Sequence, residues 1–355
     1  MTDFAGAPSP MGARVGGGFV SLAIVPNRTS TRYSLRVSAL THTPVLPREV
    51  AQVLALQPGE TYADCTAGRG GHAALLGAHT QPGGRVILND ADASNLEFAA
   101  AHVSQQVPGI AISRFQGNFA LLPREMNAAG LQANAVLADF GFSSTQIEDP
   151  ARGFSFMRAG PLDMRFDPSR GLSAADLVNT ASERELTRIL RDFGEEPGAF
   201  RVAQAIVQAR KTTPIQTTEA LAEVIRSVVG RRPGSGVDPA TKSFQALRIA
   251  VNDEIGSIEA LLSQIARAAK SLAAVSGKGG GGVGSERLWL AKGARIALLT
   301  FHSLEDRPVK TLFADICKQG LATDLARGGI TASDEEIRAN PRARSARLRA
   351  IRLNP

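Results

Sequence analysis

The chain predicts an α/β fold: a parallel sheet covered by helices on both faces, interrupted by an all-helical insertion. Three observations carry this expectation. From Tyr62, short apolar runs alternate with stretches of helical spacing, which implies parallel strands joined by crossover helices. After about Gln146 the alternation stops, and residues 173–229 read as helical throughout, with further helical patterns over 241–252 and 254–273. The strand pattern resumes only at Arg295.

The strand candidates are Tyr62–Cys65, Arg85–Asn89, Ala111–Phe115, Ala135–Phe140 and Arg295–Phe301, each short and apolar as buried parallel strands are. Helical spacing joins the first three, as in Ala91–Val103, with turns such as Gln81-Pro-Gly-Gly84 between. The insertion reads as helices over Ala174–Val178, Glu183–Asp192, Ala199–Ala209 and Thr218–Val229. After a Pro/Gly turn at 232–236, Thr241–Asn252 and Glu254–Ala273 follow. Residues 276–285 are glycine-rich and read as a loop. The expected organisation is an extension over 1–40, a sheet domain over 41–146 plus 245–355, and a helical insertion over 147–244.

Composition narrows the function. The 355 residues are 43% hydrophobic and 21% charged, which is globular. The net charge of +7 is unevenly placed. Residues 1–40 hold four arginines against Asp3, and residues 342–355 hold five with no acid, leaving a body of −1. A coat protein that is basic throughout is excluded. No run of about 18 apolar residues exists, so no helix is expected to span a bilayer. Cys65 and Cys317 are too few for a disulfide framework or a CxxC metal site, and the cytoplasm is the expected location. The acid-poor leader also fits an organellar transit peptide, a disordered arm or an early start codon.

Residues 64–73 read Asp-Cys-Thr-Ala-Gly-Arg-Gly-Gly-His-Ala directly after a strand, and Asp90 lies 20 residues beyond Gly70. A glycine turn opening a helix, with an acid ending the next strand, marks a nucleotide-binding βαβ unit in which the acid accepts from ribose hydroxyls. A turn with no ligand is the plainer alternative. A dinucleotide would place its pyrophosphate over this turn, where the Asp64 carboxylate is unwelcome. S-adenosylmethionine has no phosphate and carries an ammonium and a sulfonium, so Asp64 favours methyl over hydride transfer.

Several further segments occur in order with this turn: His42-Thr-Pro-Val-Leu, Leu137-Ala-Asp-Phe-Gly-Phe-Ser-Ser144, Arg152-Gly-Phe-Ser-Phe-Met157 and Gly160-Pro-Leu-Asp-Met-Arg165. Phe244-Gln-Ala-Leu-Arg248, Phe301-His-Ser-Leu-Glu-Asp-Arg307 and Asn340-Pro-Arg-Ala-Arg-Ser345 follow. From about Thr41 to Arg349 the chain resembles the ribosomal RNA small-subunit methyltransferase H family. The resemblance implies a Rossmann-like class I methyltransferase sheet and the cofactor S-adenosylmethionine. It implies methylation of an exocyclic cytosine N4 amine in small-subunit ribosomal RNA, with that RNA or the assembling subunit as partner. It also implies cofactor contacts at Gly70, Gly71, His72, Asp90, Phe119, Asp139 and Gln146, and Asp64 joins them on the charge argument. Thr145 stands where the family pattern has proline.

An exocyclic amine is a weak nucleophile because its lone pair is delocalised, and acceptors on its hydrogens restore it. Asp139, or a carbonyl within 140–143, is the candidate; service to the cofactor alone is the alternative. Methylation at C5 of the pyrimidine would require a cysteine nucleophile, and neither cysteine suits. Arg152, Phe154, Phe156, Arg158, Asp163 and Arg165 form a basic–aromatic loop that fits an RNA edge, or packs the insertion onto the sheet domain. His302, with Glu305 and Asp306, lines a base pocket or caps a helix through Ser303-x-x-Asp306. No metal is expected, since no second His or Cys lies at ligand spacing. The tail arginines are expected to approach RNA phosphates. A homodimer fits the chain as well as a monomer. An assembly factor that binds the cofactor without turnover is the alternative from another class, and a nicotinamide-dependent oxidoreductase is a further one.

Overall fold

The computed structural model describes residues 43–141, 144–230, 238–276 and 288–354. The expectations for the 1–40 leader, for His42, for Phe142 and Ser143, and for the 276–285 loop beyond Ser276 lie outside the described residues.

The sheet-forming elements are α1 (Pro47–Leu54), β1 (Thr61–Asp64), α2 (Gly71–His79), β2 (Arg85–Asp90), α3 (Ala93–Gln106), β3 (Ala111–Gln116), α4 (Leu122–Ala128), β4 (Ala133–Asp139) and α5 (Ser144–Glu148). Helices α6 (Ala174–Thr180), α7 (Glu183–Gly194), α8 (Ala199–Thr212), α9 (Thr218–Val228) and α10 (Thr241–Asn252) follow, with no strand among the described residues between them. The chain then returns through α11 (Glu254–Ser276), β5 (Leu290–Thr300), α12 (Ser303–Lys318), β6 (Ala322–Asp324), β7 (Ile330–Thr331), α13 (Asp334–Ala339) and β8 (Arg347–Leu353).

The strand order is β3-β2-β1-β4-β5-β8-β6, with β7 also paired to β8. The first five strands are parallel, whereas β8 runs antiparallel to β5 and to β6 and β7. Side chains alternate across a strand, so each central strand feeds both faces. Ile87, Val136, Ile296 and Leu298 join α4, α11 and α12 in one core, with Leu122, Ile265 and Phe313. Tyr62, Val86, Leu88, Leu137 and Leu299 join α1, α2 and α3 in the other, with Leu54, Leu76 and Val103. Both faces being buried explains why these strands read as apolar runs rather than alternating ones.

The helical segment has a third core of its own, in which Leu186, Ile189 and Leu190 of α7 meet Val202 and Ile206 of α8 and Phe244 and Leu247 of α10. Ser173 and Asp176 form a capping box that starts α6, and Ser182 caps α7. Helix α10 belongs to this core, while α11 packs on the sheet. Asp253 ends α10 in the left-handed region, at φ 47°.

The chain leaves the sheet through a tight crossing of loops. Gly153 has φ +70°, and a Cβ there would lie 2.3 Å from the Pro161 carbonyl oxygen and 2.6 Å from the Asp163 nitrogen. Gly153→Ala is therefore expected to destabilise by about 2–5 kcal/mol, combining left-handed strain with overpacking. Chemical denaturation would show this as a lowered midpoint.

For Arg349 the expectation for the basic tail is corrected by β8. Residues 347–353 form a strand, and Arg349 is 8% exposed, with its Nε 2.6 Å and Nη2 2.8 Å from the Asp306 carboxylate. This arginine neutralises α12 rather than facing a phosphate. Arg344 and Arg352 remain exposed.

Candidate active site

In a parallel sheet the carboxyl ends of the strands lie together, and ligands bind where the strand order reverses. Here the order turns back between β1 and β4. A cavity of about 320 Å³ opens at that place, with Asp64, Asp90 and Asp139 on its wall.

The glycine turn forms its floor. The Gly70 N–H donates to the Ala67 carbonyl at 2.7 Å, closing the turn before α2. Gly70 has φ +78°, and a Cβ there would stand 3.0 Å from Ala99 Cα and 3.1 Å from its carbonyl oxygen. Glycine thus lets the turn pack on α3. No side chain caps α2, so its first amides, beginning at Gly71, are available to a ligand. The Arg69 guanidinium lies over the Phe98 ring, 3.3 Å from its centroid.

Asp90 has a structural duty besides any ligand: its Oδ2 accepts from the Gly68 N–H at 2.7 Å and its Oδ1 from the Asp92 N–H at 2.8 Å. Burial raises its pKa to about 6, partly offset by those hydrogen bonds. Asp64 is 2% exposed and accepts from the Thr66 N–H and the Tyr62 hydroxyl, both at 3.1 Å. Burial pushes it up to about 7. The Asp139 amide donates to Thr66 Oγ1 at 2.7 Å, and its carboxylate lies 3.8 Å from His72 Nε2. Burial, then the charge of Asp64, pushes Asp139 up to about 7, and the Arg342 guanidinium opposes this. Phe119 meets Phe140 with ring centroids 5.4 Å apart, and buried Gln146 donates to Asp92 at 3.4 Å. Gly71, His72, Asp90, Phe119, Asp139, Gln146 and Asp64 all line this one cavity, while Gly70 shapes the turn beneath it.

Three carboxylates held out of water disfavour their own charge. A ligand that brings positive charge relieves that cost, and one that brings phosphate increases it. The donor set therefore fits S-adenosylmethionine, with its ammonium and sulfonium, better than a dinucleotide.

The proposed RNA edge is placed differently. Arg152 is turned inward: its Nη1 pairs with Asp92 Oδ2, and its Nη2 donates to the Arg165 and Phe166 carbonyls at 3.0 and 2.9 Å. Phe154 stacks on Phe166 at 5.6 Å and 16°, and Phe156 meets Phe244 edge-on at 4.7 Å. Asp163 holds Arg165 through Nε at 2.9 Å and Nη2 at 2.6 Å. Of this loop, Met157 and Arg158 are exposed. His302 lines the cavity, directly before α12. Its cap uses Glu305, not Asp306 as expected: Glu305 Oε2 accepts from the Phe301 and His302 amides.

Arg248, Glu254, Glu305 and Arg342 also line the cavity, although they carried no expected cofactor role. Arg248 and Glu254 form a buried bidentate pair, at 2.8 and 3.0 Å. A cation and an acid flanking a helix break were the available signal. Both cysteines are chemically quiet. Cys65 is 1% exposed, and burial pushes its thiol far above the ordinary value; burial raises Cys317 as well. Among the described residues no cluster can hold a metal ion, and no helix is long and apolar enough to cross a membrane.

A parallel Rossmann-like sheet completed by the antiparallel strand β8, with a cation-seeking cavity at its switch point, defines a class I S-adenosylmethionine-dependent methyltransferase. Residues 39–276 and 283–354 match the family model described as the MraW methylase family. The chain is 40% identical over 332 residues to the ribosomal RNA small subunit methyltransferase H of Symbiobacterium thermophilum, covering 88% of this chain and 96% of that one. It is 42% identical over 330 residues to the protein of that name from Syntrophotalea carbinolica, covering 88% and 97%. To that from Methylobacterium nodulans it is 42% identical over 333 residues, covering 87% and 89%. The chain belongs to the MraW methylase family.

Proposed function

We propose that the chain transfers a methyl group from S-adenosylmethionine to the exocyclic N4 amine of a cytidine in small-subunit ribosomal RNA. The observation that carries this reading is the position of Asp139. It ends β4, with Asp64 at the end of the adjacent β1 and the β5–α12 corner on its other side. The cofactor supplies a methyl group already activated on a sulfonium, so the chain has chiefly to align donor and acceptor. Asp64 and Asp90 hold the cofactor's polar groups, Phe119 packs on its base, and the α2 amides take its carboxylate. Asp139 accepts from the cytosine amine and withdraws its lone pair from the ring. Cys65 is buried and Cys317 lies on α12 away from the cavity lining, so neither is placed as the nucleophile that the C5 alternative needs.

The RNA, free or within the assembling subunit, meets the helical insertion at its exposed 157–158 loop, and the location is the cytoplasm. Gel filtration at working concentration decides whether the enzyme acts as a homodimer. Incubating isolated small subunits with tritiated methyl donor tests the activity. Counts in the RNA are the expected result, and subunit binding without counts would mean an assembly factor.

Cofactor affinity should depend on pH. A cationic ligand favours the ionised forms of Asp64, Asp90 and Asp139, so binding below about 7 releases protons. Affinity is expected to rise with pH and level off above about 7, by up to about tenfold per pH unit for each proton released. Calorimetry in buffers of different ionisation enthalpy reads the proton count directly. In the free chain, these acids have folded pKa values above the unfolded 3.8. Their contribution to stability is therefore full below about pH 4 and lost as the pH rises through about 7.

A further inference from the structure

We propose that Arg152 is a positioning residue of the cofactor site: through the buried Asp92 it fixes Asp90 and Gln146 in the cavity wall. The assignment rests on the methyltransferase reading above and gives a role to an arginine whose sequence context suited RNA.

Arg152 ends the short turn Pro150–Arg152, where the chain leaves the sheet for the insertion. Its side chain is 18% exposed and that of Asp92 6%, and neither residue lines the cavity. Asp92 touches the wall from behind. Its N–H donates to Asp90 Oδ1 at 2.8 Å, and its Oδ2 accepts from Gln146 Nε2 at 3.4 Å. Asp90 and Gln146 both face the cavity. The other oxygen, Oδ1, is used at the start of α3, where it accepts from the Ser94 N–H at 3.0 Å and from its hydroxyl at 2.7 Å. Arg152 Nη1 therefore pairs with the oxygen that also holds Gln146.

The second arm of the guanidinium reaches another part of the wall. Nη2 donates to the Arg165 and Phe166 carbonyls at 3.0 and 2.9 Å. Phe166 lines the cavity, and its N–H donates to Asn252 Oδ1 at 2.7 Å. One planar fork thus ties the loop after β2 to the segment before α6, and each tie ends on a cavity residue.

Charge gives the tie its effect. Burial opposes the Asp92 charge, but hydrogen bonds from Arg152 and Ser94 outweigh it and hold the carboxyl below its ordinary range. Asp90 is raised chiefly by burial, and the Asp92 charge adds to this. Without the guanidinium, Asp92 is a buried carboxylate that has lost its counter-ion, and it must turn or take a proton. Either change moves Gln146 and the Asp92 amide on which Asp90 rests. Packing of the insertion explains the carbonyl contacts of Nη2. It does not account for a cation on a carboxylate that holds two cavity residues.

The test is calorimetric titration of S-adenosylmethionine into the full chain without RNA, beside urea unfolding and binding to isolated small subunits. Arg152→Met is expected to weaken cofactor affinity by about 10–100-fold, as for coupled buried pairs, and to leave subunit affinity within about threefold. Asp92→Asn keeps an oxygen for the α3 cap and is expected to weaken cofactor affinity by at least about threefold. The two losses should not add: the double variant is expected to bind no more weakly than Arg152→Met alone. Losses that multiply, as at independent sites, would overturn the assignment. A merely structural arginine would lower the urea midpoint and leave cofactor affinity of the folded chain unchanged, which would overturn it too. So would a loss confined to subunit affinity, which would return Arg152 to the RNA. Should Arg152→Met fail to fold, Arg152→Gln, which retains a donor for the carbonyls, supplies the same comparison. A wild-type chain that binds no S-adenosylmethionine would overturn the methyltransferase reading and this assignment with it. Equal binding by wild type and variant would overturn this assignment alone.

Discussion

Arg248→Met is expected to destabilise the protein by about 3–5 kcal/mol, the usual cost of leaving one partner of a buried pair uncompensated. Arg248 and Glu254 have side chains 10% and 8% exposed and meet through two parallel hydrogen bonds. Burial still raises the Glu254 pKa despite its partner, with the nearby Glu305 adding to the effect. The pair spans the break at Asp253 and so ties the last helix of the insertion to the first helix that returns to the sheet. It also forms part of the cavity wall. Removing both charges, as in Arg248→Met with Glu254→Leu, is expected to restore much of the loss, because an apolar pair needs no compensation. Urea unfolding reads this as midpoint shifts at constant slope. Equal loss in the single and double variants would mean that packing, not charge, sets the cost.

Asp139→Asn is expected to lower single-turnover transfer by about 10²–10⁴-fold, with the loss persisting at saturating cofactor. The amide can still accept from the amine, but it has lost the charge that polarises it. If Asp139 served the cofactor alone, more cofactor would restore the rate. Stability should move the other way. The carboxyl titrates near 7 because burial opposes its charge. At pH 8 the ionised group therefore works against the fold, and the variant should melt above the wild type. A melting point raised at pH 8 and unchanged near pH 4 would carry that signature.

Strands β1, β2, β4 and β5 were legible in the sequence because each is buried on both faces and reads as a short apolar run, whereas the edge strand β3, which has no buried residue, was legible from its place in the strand–helix alternation. The helices of the insertion were legible because each buries one stripe. Strand β8 was hidden by its composition: Arg347, Arg349 and Arg352 interrupt the apolar residues, and the reason Arg349 is tolerated, Asp306, lies 43 residues away. The site divided in the same way. The residues proposed to hold the cofactor lie mostly in a local motif and at strand ends, where their types suggested that chemistry. On the acceptor side the sequence reads ambiguously, since Arg152, Phe154 and Phe156 suit RNA or packing equally. Only the tertiary contacts of Arg152 with Asp92, and of the two rings with Phe166 and Phe244, separate these uses. The Glu305 cap and the Arg248–Glu254 pair likewise depend on where helices break, which periodicity places only to within a few residues.

The central claim is methylation of a cytosine amine in this cavity. Small-subunit RNA labelled by the purified enzyme should be digested to nucleosides and the labelled product identified by mass and chromatographic mobility. N4-methylcytidine is the expected labelled nucleoside, formed by the wild type and lost with Asp139→Asn. Label in 5-methylcytidine, in a ribose methyl group or in a purine would contradict it.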